Sequence, residues 1–62
     1  MIPKVRVGDI VIIAVGMCKH ERGEVSRYPE NLENPYDFYV KFDDGAELLY
    51  KHEEVYKVGT SV

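Results

Sequence analysis

Between Val5 and Val15 the apolar positions are almost all β-branched: Val5, Val7, Ile10, Val11, Ile12, Ile13 and Val15. Branched side chains crowd a helical turn and fit a pleated surface. The stretch therefore predicts a first strand, entered through a bend at Gly8-Asp9 and ended by Gly16. Met17 to Arg22 follows as a loop carrying much of the basic charge. Val25 stands alone among polar neighbours in Glu24-Val25-Ser26-Arg27-Tyr28. This predicts a short second strand, closed by Pro29, which has no amide proton to donate. Residues 29–37, PENLENPYD, hold prolines, asparagines and acids, and predict a loop with Leu32 tucked against the body.

Residues 38–50, FYVKFDDGAELLY, place apolar side chains on both sides of an acidic turn. A two-residue turn at Asp44-Gly45 would set Lys41 opposite Leu48 and Phe42 opposite Glu47. A three-residue turn, Asp43-Asp44-Gly45, sets Lys41 opposite Glu47, Val40 opposite Leu48 and Phe38 opposite Tyr50. The second arrangement pairs charge with charge and apolar with apolar. At roughly 0.2–1 kcal/mol per cross-strand pair, several such pairs decide for it, and Gly45 accepts the positive φ that the turn needs. That register sends Phe38, Val40, Phe42, Ala46, Leu48 and Tyr50 inward. Tyr39, Lys41, Glu47 and Leu49 point outward, and a slip of one residue would invert the whole set. Lys51-His52-Glu53-Glu54 predicts a 3₁₀ turn and Val55–Val58 a last strand. Residues 59–62 read as a frayed, flexible tail. The expectation is an all-β chain: a small barrel of about five short antiparallel strands over residues 1–58, whose closure hides its sheet edges.

Composition acts mainly by exclusion. Sixty-two residues make one domain, and a domain this small buries only about 60% of the surface its unfolded chain exposes. The 45% hydrophobic and 31% charged fractions describe a folded soluble domain and not a disordered tail. The longest apolar run, Ile10–Val15, falls far short of the roughly 20 residues that span a bilayer. Asp9 interrupts any signal-peptide pattern, so no membrane partner is expected. Cys18 is the only cysteine and has no partner for an internal disulfide, which suits a reducing, cytoplasmic setting. Net charge is −3 and uneven. Lys4, Arg6, Lys19, Arg22 and Arg27 outweigh three acids in residues 1–29, whereas residues 30–62 carry eight carboxylates against three lysines.

Four phrases carry a resemblance: V-x-V-G-D-I-V at Val5–Val11, R-G-E-V at Arg22–Val25, Y-V-K-F-D-D-G at Tyr39–Gly45 and H-E-E-V-Y-K-V at His52–Val58. Together they resemble the SH3-like small-barrel superfamily, and within it Tudor-type and KOW-type domains. The resemblance implies a small barrel that works by binding. Tudor-type domains that read methylated lysine or arginine use an aromatic cage through cation–π attraction. Tyr28, Tyr36, Tyr39 and Tyr50, with Asp37 or Asp43, are the residues such a cage would draw on. The first loop, Met17–Arg22, contributes no aromatic residue, which argues against one. KOW-type barrels imply nucleic-acid binding. Lys4, Arg6, Lys19, His20, Arg22 and Arg27 would form a basic patch if the first loop folds over the strand start, with Tyr28 or Tyr36 to stack on bases.

Cys18, His20 and His52 are too few for a structural zinc site, and no nucleophile–base–orienter trio is legible. No metal, no cofactor, no catalytic residue and no enzymatic activity are expected. A single short domain without catalytic residues acts by binding, as a subunit, an adaptor or a small inhibitor. The expected partner is another protein, a second copy of this chain included, with RNA or DNA as the alternative through the basic first loop. The expected contact surface comprises Lys19, His20 and Arg22 in the first loop, Tyr28, Leu32 and Tyr36 around the long loop, and the exposed pair Tyr39 and Leu49 on the outer face, tyrosine being favoured at interfaces.

Overall fold

The computed structural model describes residues 5–60, and they form one antiparallel sheet of five strands with no α-helix. The strands are β1 (Asp9–Ile13), β2 (Arg22–Arg27), β3 (Phe38–Lys41), β4 (Glu47–Tyr50) and β5 (Val55–Thr60), and a 3₁₀ turn, His52–Glu54, precedes β5. Their order across the sheet is β4-β3-β2-β1-β5. Consecutive strands lie side by side except that the last returns to the first, so β4 and β5 are the two edges.

One face of this sheet supplies the core. Val11 and Ile13 of β1, Val25 of β2, Phe38 and Val40 of β3, Tyr50 of β4 and Val55 of β5 meet Val5 there, with Cys18 and Phe42 packed against them. A single sheet can enclose one core with one face only by curling, and a chain extent of 27 × 27 × 23 Å describes such a curled, near-barrel body. Each fully buried Val, Ile or Phe contributes roughly 1.5–3 kcal/mol of transfer free energy, most of it offset by chain entropy.

The hairpin has the register that charge and apolar matching predict: Phe38↔Tyr50, Tyr39↔Leu49, Val40↔Leu48 and Lys41↔Glu47. Phe42 N–H donates to the Ala46 carbonyl and Gly45 N–H to the Phe42 carbonyl. Gly45 sits at φ +89°, and Asp44 Oδ1 accepts from Ala46 N–H. The bend before β1 is closed twice, by Asp9 N–H on the Arg6 carbonyl and by Arg6 N–H on Asp9 Oδ2.

Several expectations are corrected. Gly59 and Thr60 are not a tail: they pair with Ile10 and Asp9 in β5, after a bulge. The open backbone of Asp9 and Ile10 gives them partners that a local reading does not count. Residues 61–62 of that expected tail lie outside the described residues. Strand β1 stops at Ile13; Ala14 N–H instead donates to the Glu54 carbonyl, tying the first loop to the 3₁₀ turn. Leu32 is not tucked in but 99% exposed at the tip of the long loop. Leu48 and Ala46, expected inside, are exposed, whereas Tyr39 and Leu49, expected outside, are half-buried. Alternation sets which face of the sheet a side chain leaves from. Burial also requires something opposite, and β4 is an edge with no sixth strand beyond it.

Candidate interaction surface

The edge position of β4 opens a seam between β4, the first loop and the 3₁₀ turn. Its floor is aromatic. Tyr50 packs edge-on against Phe42, with ring centroids 6.5 Å apart at 79°. Burial first, then the Cys18 thiol beside it, push the Tyr50 hydroxyl up to about 12. Above this floor Leu48 remains 43% exposed. It joins two hollows. One, about 460 Å³, lies among Val15, Tyr36, Leu48, Leu49 and Glu54. The other, about 320 Å³, lies among Cys18, Arg22, Asp43, Asp44 and Leu48. The two hollows meet at Leu48 in one strip along the edge of β4, apolar around Leu48 and Leu49, with Glu54 beside one hollow and the acidic turn beside the other.

Local sequence explains each wall. Val15 lies two residues past the end of β1, just before Gly16, whose φ of +76° turns the chain into the first loop. The base of that loop is pinched by Ile13 N–H on the Glu21 carbonyl and His20 N–H on the Ile13 carbonyl. Tyr36 follows an Asn34 side-chain turn that accepts its N–H, and the Lys51 ammonium lies 6.0 Å from its ring centre. The 3₁₀ turn is held by Lys51 N–H on Glu54 Oε1 and His52 N–H on Asp37 Oδ2, both under 3 Å.

The residues expected at a contact surface do not all come together. Tyr36 and Leu49 line the seam, and Arg22 borders its second hollow. Lys19 and His20 are exposed on the returning side of the first loop, where His20 has φ +77°. Tyr28 is elsewhere, its hydroxyl accepting a 3.4 Å bond from Val7 N–H, and Leu32 stands apart at its loop tip. Tyr39 does oppose Leu49 across β3 and β4, but the Arg27 guanidinium covers its ring at 4.1 Å. Arg27 also reaches Glu47 at 3.6 Å. The Ser26 hydroxyl donates a 2.6 Å bond to the same carboxylate. That bond, outweighing partial desolvation and aided by Arg27, holds Glu47 below its ordinary carboxylate range. The outer face around Tyr39 is thus an internally satisfied network rather than a bare apolar pair.

The expected basic patch is divided as well. Arg22 and Arg27 are the two ends of β2, roughly 16 Å apart at strand rise, and Arg27 is already engaged. Lys4 lies outside the described residues. Among the described residues no three His, Cys, Asp or Glu side chains gather as metal ligands, and no helix is long and apolar enough to cross a membrane.

Val15 and Leu48 are the seam residues that sequence reasoning missed. Sequence alternation puts both inside strands; the strand bounds place Val15 beyond the end of β1, and the strand order places Leu48 on an edge. A larger hollow, about 740 Å³, lies beside Gly23, but Arg22, Glu24, Lys41 and Asp43 around it alternate in sign and make its wall more polar than apolar. The β5 edge exposes Tyr56 and Val58, yet that strip borders Val5, where the described residues begin.

No protein-family model matches the chain, and no curated protein matches it.

Proposed function

We propose that this chain is a non-enzymatic interaction module on an SH3-like barrel that binds another protein through the seam beside β4. The observation that carries the reading is Leu48, a large aliphatic side chain left exposed on the inward side of an edge strand between two hollows. An apolar strip with charged ends is the usual make-up of a contact surface, with an apolar centre and a polar rim. The surrounding charges set on-rate and register more than affinity. The lone thiol of Cys18 fits a cytoplasmic setting.

The test is capture from the native cell with matched variants. Leu48→Lys and Tyr36→Ala should lose the partner, while Tyr28→Ala, which lines neither hollow, retains it and all three keep their fold by circular dichroism. Retention of every partner by Leu48→Lys would remove this surface. Nucleic-acid binding remains the alternative through Lys19, His20 and Arg22. It predicts salt-dependent association with RNA or DNA that is lost on neutralising Lys19 and Arg22. The separation of Arg22 from Arg27 is why it ranks second.

A further inference from the structure

The seam offers main-chain bonds as well as apolar surface. Phe42 N–H donates to the Ala46 carbonyl, and Val40 opposes Leu48 two residues further along each strand. In an antiparallel ladder bonded and non-bonded pairs alternate. Phe42–Ala46 is a bonded position, although the turn diverts the Phe42 carbonyl to Gly45 N–H, so Val40–Leu48, two residues on, is the next bonded pair. Tyr39–Leu49 and Lys41–Glu47 are not bonded pairs. The main-chain groups of Glu47 and Leu49 consequently point away from β3, toward the seam. β4 has no strand on that side.

The charges lining this edge are mostly acidic, with the Lys51 ammonium close by, 6.0 Å from the Tyr36 ring centre. Glu54 lines one hollow, and Glu21, Asp43 and Asp44 line the other, against Arg22 as the one cation among the lining residues of the two. Two of these carboxylates are anchored by main-chain N–H groups: Glu54 by Lys51 and Asp44 by Ala46. Each uses one oxygen for that bond and keeps a second.

We propose that the seam takes an extended, cationic segment of the partner protein, added to β4 as a sixth strand. This rests on the protein-binding reading of the same seam. Glu47–Tyr50 is four residues, roughly 13 Å of strand, so the segment is short. Alternate side chains are aliphatic and land on Leu48 and Val15; lysines or arginines meet the carboxylates at the two ends. A second copy of this chain does not fit. Adding its β4 antiparallel across a twofold axis would bring Asp43 and Asp44 of one chain toward Glu54 of the other, acid against acid. Nucleic acid would meet the same carboxylates with its phosphates.

The experiment titrates ¹⁵N-labelled protein with three blocked heptapeptides: KVKVKVK, EVEVEVE, and the first peptide N-methylated at alternate residues. Amide hydrogen exchange is followed residue by residue. The lysine peptide should slow exchange at Glu47 and Leu49 by at least about tenfold at saturation, and neither of the others should. Equal protection by the glutamate peptide overturns the proposal. So does lysine-peptide binding that leaves those two amides unprotected, since that is charge attraction without strand addition, and so does no binding at all. Protection that rises with protein concentration alone assigns the edge to a second copy, and protection by a single-stranded oligonucleotide assigns it to nucleic acid; either result overturns it. If the peptides fail while Leu48→Lys still abolishes capture of the native partner, only the strand addition falls. If Leu48→Lys also retains the partner, the seam itself falls.

Discussion

Gly23 is where a single methyl group should cost the most. It lies on the inward face of β2, opposite Val11 and one strand from β3. A Cβ there would sit 2.5 Å from Val40 Cγ1 and 3.0 Å from the Lys41 carbonyl oxygen. Neither neighbour yields easily, because Val40 is a short, fully buried side chain and the carbonyl belongs to the sheet. Elsewhere Gly→Ala gains about 0.4–1 kcal/mol by narrowing the unfolded ensemble. Overpacking a core costs about 1–3 kcal/mol, so Gly23→Ala should be destabilising by about 1–2 kcal/mol net. A single small core supplies about 3–5 kcal/mol in all, so the substitution removes a large share. The urea midpoint should fall by about 1 M or more with an unchanged slope. Val40→Ala alone should cost on the order of 2 kcal/mol through lost burial and a cavity. In the double variant the new methyl enters the space that Val40 vacates, so the combined cost should be smaller than the sum by about 1 kcal/mol. The contact with the Lys41 oxygen remains, so rescue is incomplete. A neutral or stabilising Gly23→Ala, or costs that add to within about 0.5 kcal/mol, would refute the reasoning.

Three further outcomes are expected. Leu48→Ala should cost under about 1 kcal/mol in urea unfolding, because an exposed side chain loses little transfer energy, while Val40→Ala on the opposite strand costs at least twice as much; equal costs would mean Leu48 is core. Asp9→Ala should destabilise by about 1–3 kcal/mol, since it orphans Arg6 N–H and leaves Lys57, 3.5 Å from Asp9 Oδ2, without its partner; Asp9→Asn, which keeps an oxygen acceptor, should lose less, and equal losses would point away from the turn bond. Tyr50 holds its proton more tightly folded than unfolded, to about 12 against 10. Its contribution is therefore fully present below pH 10 and lost as pH rises toward 12. Stability measured from pH 9 to 11 should fall less steeply in Tyr50→Phe than in wild type, and parallel profiles would contradict the assignment.

Much of the fold was legible locally. β-Branched density named β1, the isolation of Val25 named β2, and cross-strand matching chose the three-residue turn at Asp43-Asp44-Gly45 over its competitor. These features depend on neighbours in sequence or directly across one hairpin. The contact surface was legible only in part. Tyr36, Leu49 and Arg22 do border the seam, but Tyr28 and Leu32 were grouped with them by loop membership, and the long loop carries the three to different places.

By itself, the sequence determined the strands, the hairpin register and the face from which each hairpin side chain leaves. All of these follow from a side-chain period of two and from pairing across one short turn. The tertiary structure alone decided burial and edges. Leu48 and Val40 leave the same face, yet Val40 is sealed with β2 beyond β3, whereas Leu48, at the turn end of the edge strand, stays exposed and Tyr50 on the same face of β4 packs against Phe42 in the core. Gly59 and Thr60 became strand because β1, some fifty residues earlier in the chain, held open bonds for them. The order of strands across a sheet is a long-range property, and whether an apolar residue becomes core or contact surface depends on it.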